Sequence, residues 1–211
     1  MEKSSANPRE DIQAIREIME RSSRYLSLSG LSGIFAGACA LAGSVAAWLF
    51  ILKPGAGQHE NMQSLPVLLT GGPGLYLTLD AMLVLAFAVL GAVWFSYRKA
   101  GRTGQPFLTQ TTRRLVFHLL VPLVSGGIFT IILVFRNNPE LVASVMLVFY
   151  GLSLVNAGKF TFSEIQYLGL TEIVLGLLAG LLPLFGLLFW AAGFGLMHII
   201  YGTVMYYRHD G

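Results

Sequence analysis

Six apolar stretches, each about as long as a helix that crosses a bilayer, constrain this chain more than any other feature. A bilayer core about 30 Å thick requires roughly 20 apolar helical residues, because each unsatisfied backbone amide in lipid costs several kcal/mol. The stretches cover residues 26–52, 75–97, 115–135, 140–157, 164–182 and 187–207. We therefore expect an all-α fold, a polytopic membrane bundle of six transmembrane helices.

Composition supports a membrane protein and excludes several other classes. Of the 211 residues, 55% are apolar and 12% are charged, whereas soluble domains average about 25% charged residues. A single cysteine excludes a disulfide scaffold. The residues before the first apolar stretch carry five acids and five bases, unlike a short basic leader, so we expect this stretch to stay in the membrane.

The basic residues predict how the helices are oriented. Lys and Arg near the end of a span resist translocation and remain in the cytoplasm. Two basic residues, Lys53 and Arg136, fall on one side of the predicted topology, and the other twelve of the fourteen fall on the opposite side. Both termini should therefore be cytoplasmic, with residues 208–211 as a short tail.

Two cytoplasmic segments are candidate interaction surfaces. Residues 1–25 predict an amphipathic helix, with Asn7-Pro8-Arg9-Glu10 as a capped start and isoleucines recurring at helical spacing. This helix could lie on the inner leaflet, pair with a second copy, or dock a soluble partner. The predicted middle loop, Arg98 to Arg114, has five basic residues and no acid, which favours anionic headgroups.

Glu172 and His198 are the leading candidates for an intramembrane polar or ion site. They lie 13 residues either side of position 185, the middle of the last predicted turn, which places them at similar depth on antiparallel neighbours. Ionisable groups in lipid are costly and need a partner or a task. We expect a buried hydrogen bond or ion pair between them. This pair would either hold the two helices together or act as a proton or cation site.

Other polar residues lie nearer the predicted membrane surfaces. Asp80 lies about five residues inside the outer end of the second span, where it could snorkel to the interface, and His118 precedes Pro122 by one turn, where a kink is possible. His118, Asn156 and Glu164 all lie near the inner ends of their helices. They form either a polar cluster or unconnected interfacial groups.

Small residues at helical spacing predict close helix packing. They are Ser29, Gly33 and Gly37 in the first span, Gly169 and Gly176 in the fifth, and Gly195 and Gly202 in the sixth. Gly30-Leu31-Ser32-Gly33 also spells the pattern around the nucleophile of rhomboid proteases, but the second span supplies no matching His and Asn. Helix packing is the simpler interpretation. No catalytic residue, metal ligand set or cofactor motif is predicted.

Both ends of the chain resemble a known family. Residues 15–30 and the run from Gln166 to Gly202 look like a family of small bacterial integral membrane proteins to which no activity is assigned. The resemblance implies an intact six-span unit in the bacterial cytoplasmic membrane. It implies no substrate, cofactor or catalytic residue.

The sequence is compatible with two functions. The first is a non-enzymatic membrane component that scaffolds or regulates a partner through the amino-terminal helix and the basic middle loop. The second is a small transporter or proton-coupled carrier that uses Glu172 and His198, with His118 and Asp80 nearer the two surfaces. The expected partners are the lipid bilayer and a cytoplasmic protein or a second copy, with no nucleic acid.

Overall fold

The computed structural model describes residues 28–51, 73–104, 106–136 and 138–210, and these residues are helical apart from short connections. The helices are α1 (Gly30–Ile51), α2 (Pro73–Thr103), α3 (Gln110–Phe135), α4 (Val142–Ala157), α5 (Ser163–Leu181) and α6 (Pro183–His209). Short 3₁₀ turns flank α4 on both sides, at Pro139–Leu141 and Gly158–Phe160. All six segments are long and apolar enough to cross a membrane, so the predicted all-α, six-span architecture is confirmed.

Two sequence predictions lie outside the described residues. They are the amphipathic helix within residues 1–25 and the two ends of the first predicted span, residues 26–27 and 52. The helix start at Asn7-Pro8-Arg9-Glu10 therefore stays a prediction.

Local sequence explains where several helices begin and end. Gly104 has a φ of +64°, the left-handed conformation that commonly follows the last helical residue, and it ends α2. Thr109 forms a capping box with Thr112 at the start of α3. Pro139 and Pro183 occupy the first positions of the turns that lead into α4 and α6, where proline is tolerated.

The helices run up and down between two ends of the bundle. We call the end where α1 begins at Gly30 and α6 finishes at His209 the near end, and the opposite end the far end. α4, α5 and α6 pack together, and α1 packs along α6. α2 packs mainly on α1, and α3 packs mainly on α4. The four helices α1, α4, α5 and α6 therefore form the body, with α2 and α3 at its edges.

The predicted small-residue stripes lie at close helix contacts. A side chain at Gly33 would stand 3.0 Å from the Cα atom of Gly202, and one at Gly37 would stand 2.6 Å from the carbonyl oxygen of Gly195. Gly169 faces Gly151 of α4 equally closely. Because van der Waals contact between backbones holds helices together in lipid, glycine at these positions permits the close approach.

The predicted loop from Arg98 to Arg114 is mostly helical, which corrects the sequence interpretation. α2 continues to Thr103 and α3 begins at Gln110, so the chain links them through only a few residues. The helices continue past their apolar cores because Arg and Lys are good helix formers. Four arginines on these two helix ends are exposed, and we call them the cationic rim: Arg98, Arg102, Arg113 and Arg114.

Candidate functional site

A buried polar group connects α4, α5 and α6, and its core is the pair predicted from the sequence. The Nδ1 atom of His198 lies 3.3 Å from Oε1 of Glu172. Glu172 is completely buried and His198 is 6% exposed. The even spacing of the two residues around the turn into α6 therefore correctly predicts that they meet.

Tyr150 is the third member of this group, and sequence reasoning missed it. Its hydroxyl lies 2.7 Å from Nε2 of His198, and the two rings stack with centroids 5.4 Å apart. Tyr150 belongs to α4, which is not adjacent to α6 in the chain. Nothing in the sequence indicates which face of α4 turns towards His198.

A π-helix shapes the α6 side of the group. The segment Ala191–Met197 is π-helical, and His198 follows it directly. The carbonyl oxygen of Gly193, five residues before His198, lies 3.0 Å from Nδ1 of its ring. Single π-helical turns are rare within α-helices, and those that occur are often found at functional sites. We call Tyr150, Glu172, Gly193 and His198 the buried centre.

The carbonyl of Gly193 fixes the direction of hydrogen bonding through the imidazole. A carbonyl only accepts, so this bond requires the hydrogen on Nδ1 of His198. In the neutral ring, Nε2 then accepts from the Tyr150 hydroxyl. The ring is thus anchored on both nitrogens.

Glu172 is left without a directed hydrogen bond. Neither carboxyl oxygen has a hydrogen-bond partner among the described residues, although Nδ1 of His198 is within ion-pair distance of one of them. An unsatisfied polar group of this kind costs several kcal/mol when buried. Gly193 makes room for the carboxyl, since a side chain there would run into Glu172 Oε2 and into Leu147.

A second polar group lies at the near end and joins the two ends of the described chain. The carboxylate of Asp210 accepts from the Ser29 hydroxyl at 2.8 Å and from the Gly30 amide at 2.8 Å. It also lies 2.5 Å from the Lys99 ammonium, which in addition donates to the carbonyl of Leu28. Asp210 therefore caps α1, and it ties α1 to α2 and α6 where the positive end of the helix dipole favours an anion.

Glu164 organises the adjoining part of the near end. Its carboxylate accepts from Arg208 at 2.9 Å and lies 3.4 Å from Nε2 of His209. The ring of Phe162 stacks on His209 with centroids 4.0 Å apart, and Lys99 lies 5.2 Å from the centroid of Phe162. We call this group, together with the contacts of Asp210, the near-end cluster. Within the predicted short tail of residues 208–211, Arg208 and His209 continue α6, and Asp210 follows it directly.

The predicted inner polar cluster does not assemble. His118 is exposed and stacks on Phe160 with centroids 4.9 Å apart. Asn156 accepts from Lys159 of its own turn, and Glu164 turns to α6. The alternative of unconnected groups therefore describes these three residues.

Neither Asp80 nor Ser32 is part of the buried centre. Asp80 lies in a groove between α1 and α2, away from the buried centre. The Ser32 hydroxyl donates to the carbonyl of Ser29 in the preceding turn, as expected of a helix-packing serine. No group of three or more His, Cys, Asp or Glu side chains that could hold a metal occurs in the part of the chain that the structure describes.

Comparison of the chain with protein-family models, curated proteins and solved structures found no match of any of the three kinds. The six spans place the chain among multi-pass helical membrane proteins. Its activity has to be argued from its own residues.

Proposed function

We propose that this chain is a non-enzymatic component of the bacterial cytoplasmic membrane that holds a partner protein at the cytoplasmic face. The proposal includes membership of the family of small bacterial membrane proteins and an orientation with the near end in the cytoplasm. The partner surface would be acidic, and it would meet the cationic rim and the amino-terminal segment.

The observation that carries this proposal is the distribution of charge at the near end. Of the acids that the structure describes there, Glu164 is buried and the Asp210 side chain is 8% exposed, and both are bonded to cationic side chains of the cluster. The four arginines of the cationic rim are exposed and form no ion pair with another described residue. The exposed charge around α2 and α3 is therefore of one sign. Such a surface favours an acidic partner and speeds its association.

The closed packing of the buried centre supports a fixed body more than a carrier. Glu172 is completely buried, and Tyr150 and His198 hold each other at 2.7 Å. Polar contacts of this kind between membrane helices contribute about 0.6 to 2 kcal/mol each and serve packing in most cases. In this interpretation the buried centre fixes how α4, α5 and α6 pack.

Partner capture tests the proposal. We expect cross-linking to recover a partner protein with the parent chain. Recovery should fall at least about tenfold in the double variant Arg113→Glu with Arg114→Glu, which reverses two charges, and also when residues 1–22 are deleted. Glu140→Gln, a charge change at an exposed far-end position, is the matched control and should leave recovery unchanged. Equal recovery with all three variants would refute the proposal.

One observation favours a proton-coupled carrier as a second candidate. The Glu172 carboxyl has two buried oxygens with no hydrogen-bond partner among the described residues, and it lies beside an imidazole, a group that can hold one proton or two. A buried acid in that position is suited to taking up and releasing a proton. Proteoliposomes should then show solute flux driven by a pH gradient that Glu172→Gln abolishes. Absence of such flux across a broad solute panel would eliminate this candidate.

A further inference from the structure

A groove between α1 and α2 has the chemistry of a binding site. It encloses about 280 Å³ and is open on one side. Its α1 wall runs from Cys39 to Ala46, and its α2 wall is formed by Asp80, Leu83, Val84 and Phe87. Gly43 lets Val84 and Asp80 of α2 approach the α1 backbone closely, because a side chain there would run into Val84 and stand 3.3 Å from the Asp80 carboxylate.

Among the described residues, Asp80 is the only charged one that lines the groove, and none of them pairs with it. It forms no hydrogen bond or ion pair with another residue of the described ranges 28–51, 73–104, 106–136 and 138–210. A carboxylate among apolar walls within a membrane span is costly without a cation beside it. No Lys, Arg or His of the part of the chain that the structure describes lines the groove to provide one.

The lining is ordered along the helix axis. Asp80 lies towards the far end, and the apolar wall continues from it to Phe87, seven residues or about 10 Å deeper along α2. Tyr76, one turn beyond Asp80, stacks on Phe50 with centroids 4.0 Å apart and narrows the gap between α1 and α2 there. The groove is therefore polar at one end and apolar along the rest of its length.

We propose that the groove binds a single-chain amphiphile with a cationic amine head, which pairs with Asp80, and an apolar body about 10 Å long, which lies between α1 and α2. A monocation supplies the charge that Asp80 lacks, and an alkyl or aryl body matches the apolar walls. A phospholipid headgroup fits less well, because its phosphate would meet the Asp80 carboxylate and no described basic side chain lines the groove. The site is independent of the cationic rim and of the buried centre.

Photolabelling with an octylamine probe that carries a diazirine on its last carbon tests this site. The full chain is reconstituted in phosphatidylcholine vesicles, labelled, and mapped by mass spectrometry. We expect adducts at the deep end of the groove, near Cys39 and Phe87, because Asp80 holds the amine at the other end. Asp80→Asn should reduce labelling about tenfold, and the alcohol with the same chain should label as weakly as that variant does. Equal labelling by amine and alcohol would overturn the proposal.

Matched variants separate loss of the site from loss of the fold. Ala42→Phe fills the mouth of the groove without touching the charge and should abolish labelling, whereas Ala38→Phe adds the same bulk at an exposed position outside the lining. Glu140→Gln removes an exposed acid at the far end and should leave labelling unchanged. Loss of labelling in Ala38→Phe or Glu140→Gln would count against the groove as the site.

Competition identifies the occupant. Unlabelled octylamine should displace the probe, and phosphatidylethanolamine added to the vesicles should not. Displacement by this lipid would overturn the proposal in favour of a bound membrane lipid. Oxidative cross-linking of Cys39 to Cys39 between two chains, together with absent labelling, would mean that a second copy covers the groove, and it would also overturn the proposal.

Discussion

Asp210 and Gly30 are joined by a hydrogen bond of 2.8 Å from the Gly30 amide to the Asp210 carboxylate. The first helix of the body is thus capped by a residue at the end of the last helix. The same carboxylate lies beside Lys99, so three helices depend on one side chain. This dependence, and the geometry of the buried centre, lead to the following predictions.

Asp210→Ala should lower the free energy of unfolding by about 2–4 kcal/mol, because it uncaps α1 and leaves the mostly buried Lys99 ammonium without its carboxylate. Thermal unfolding of the purified protein in detergent measures the loss. Glu140→Gln, at an exposed acid, is the control. A stability equal to that of the control would show that the near-end cluster does not contribute.

Lys99→Ala should destabilise the protein more than Arg208→Ala. The Lys99 and Asp210 side chains are 13% and 8% exposed, whereas the Arg208 side chain that meets Glu164 is 67% exposed. Exposed ion pairs contribute about 1 kcal/mol or less, and buried pairs cost several kcal/mol to break on one side. Unfolding curves of the two variants measured side by side give the ranking, and the reverse order would contradict this account.

Gly193→Ala should destabilise the protein by about 2 kcal/mol or more, because its methyl group would meet the Glu172 carboxyl and Leu147. Gly127→Ala is the matched control, since a side chain there meets nothing within 4 Å, and it should be neutral or slightly stabilising. Both are measured as shifts in the unfolding transition. Glu172→Ala should partly rescue Gly193→Ala, and simple additivity of the two effects would refute the close contact.

Tyr150→Phe should lower the free energy of unfolding by about 0.5–1.5 kcal/mol, because it removes the hydroxyl bonded to Nε2 of His198. Tyr167→Phe changes an exposed tyrosine and should have little effect. A double-mutant cycle with His198→Ala isolates the bond. Coupling near zero in that cycle would mean that the 2.7 Å contact contributes nothing to stability.

The six spans and the meeting of Glu172 with His198 could be predicted because both follow from short-range patterns. Lipid requires long apolar helices, and two residues at equal distances from a turn lie at equal depth on neighbouring helices. The small-residue stripes that contain Gly33 and Gly202 could be predicted for the same reason, since the spacing of these residues places them on one helix face.

The other features of the fold and of the candidate site could not be predicted, because they depend on contacts between residues that are far apart in the chain. Tyr150 joins the buried centre only because α4 packs beside α6, and no pattern within α4 specifies that neighbour. The π-helix has only the closely spaced Gly193 and Gly195 as a signal. By its position in the sequence Asp210 belongs to the short tail after the last span, and only the fold brings Lys99 to it.

The packing of α1 along α6 has a consequence for how the chain is made. α1 is synthesised before α6, yet the backbone that its Gly33 and Gly37 contact belongs to α6. While the ribosome is still translating, that glycine face has no native neighbour in the bilayer. Native packing of α1 therefore waits until α6 has been synthesised.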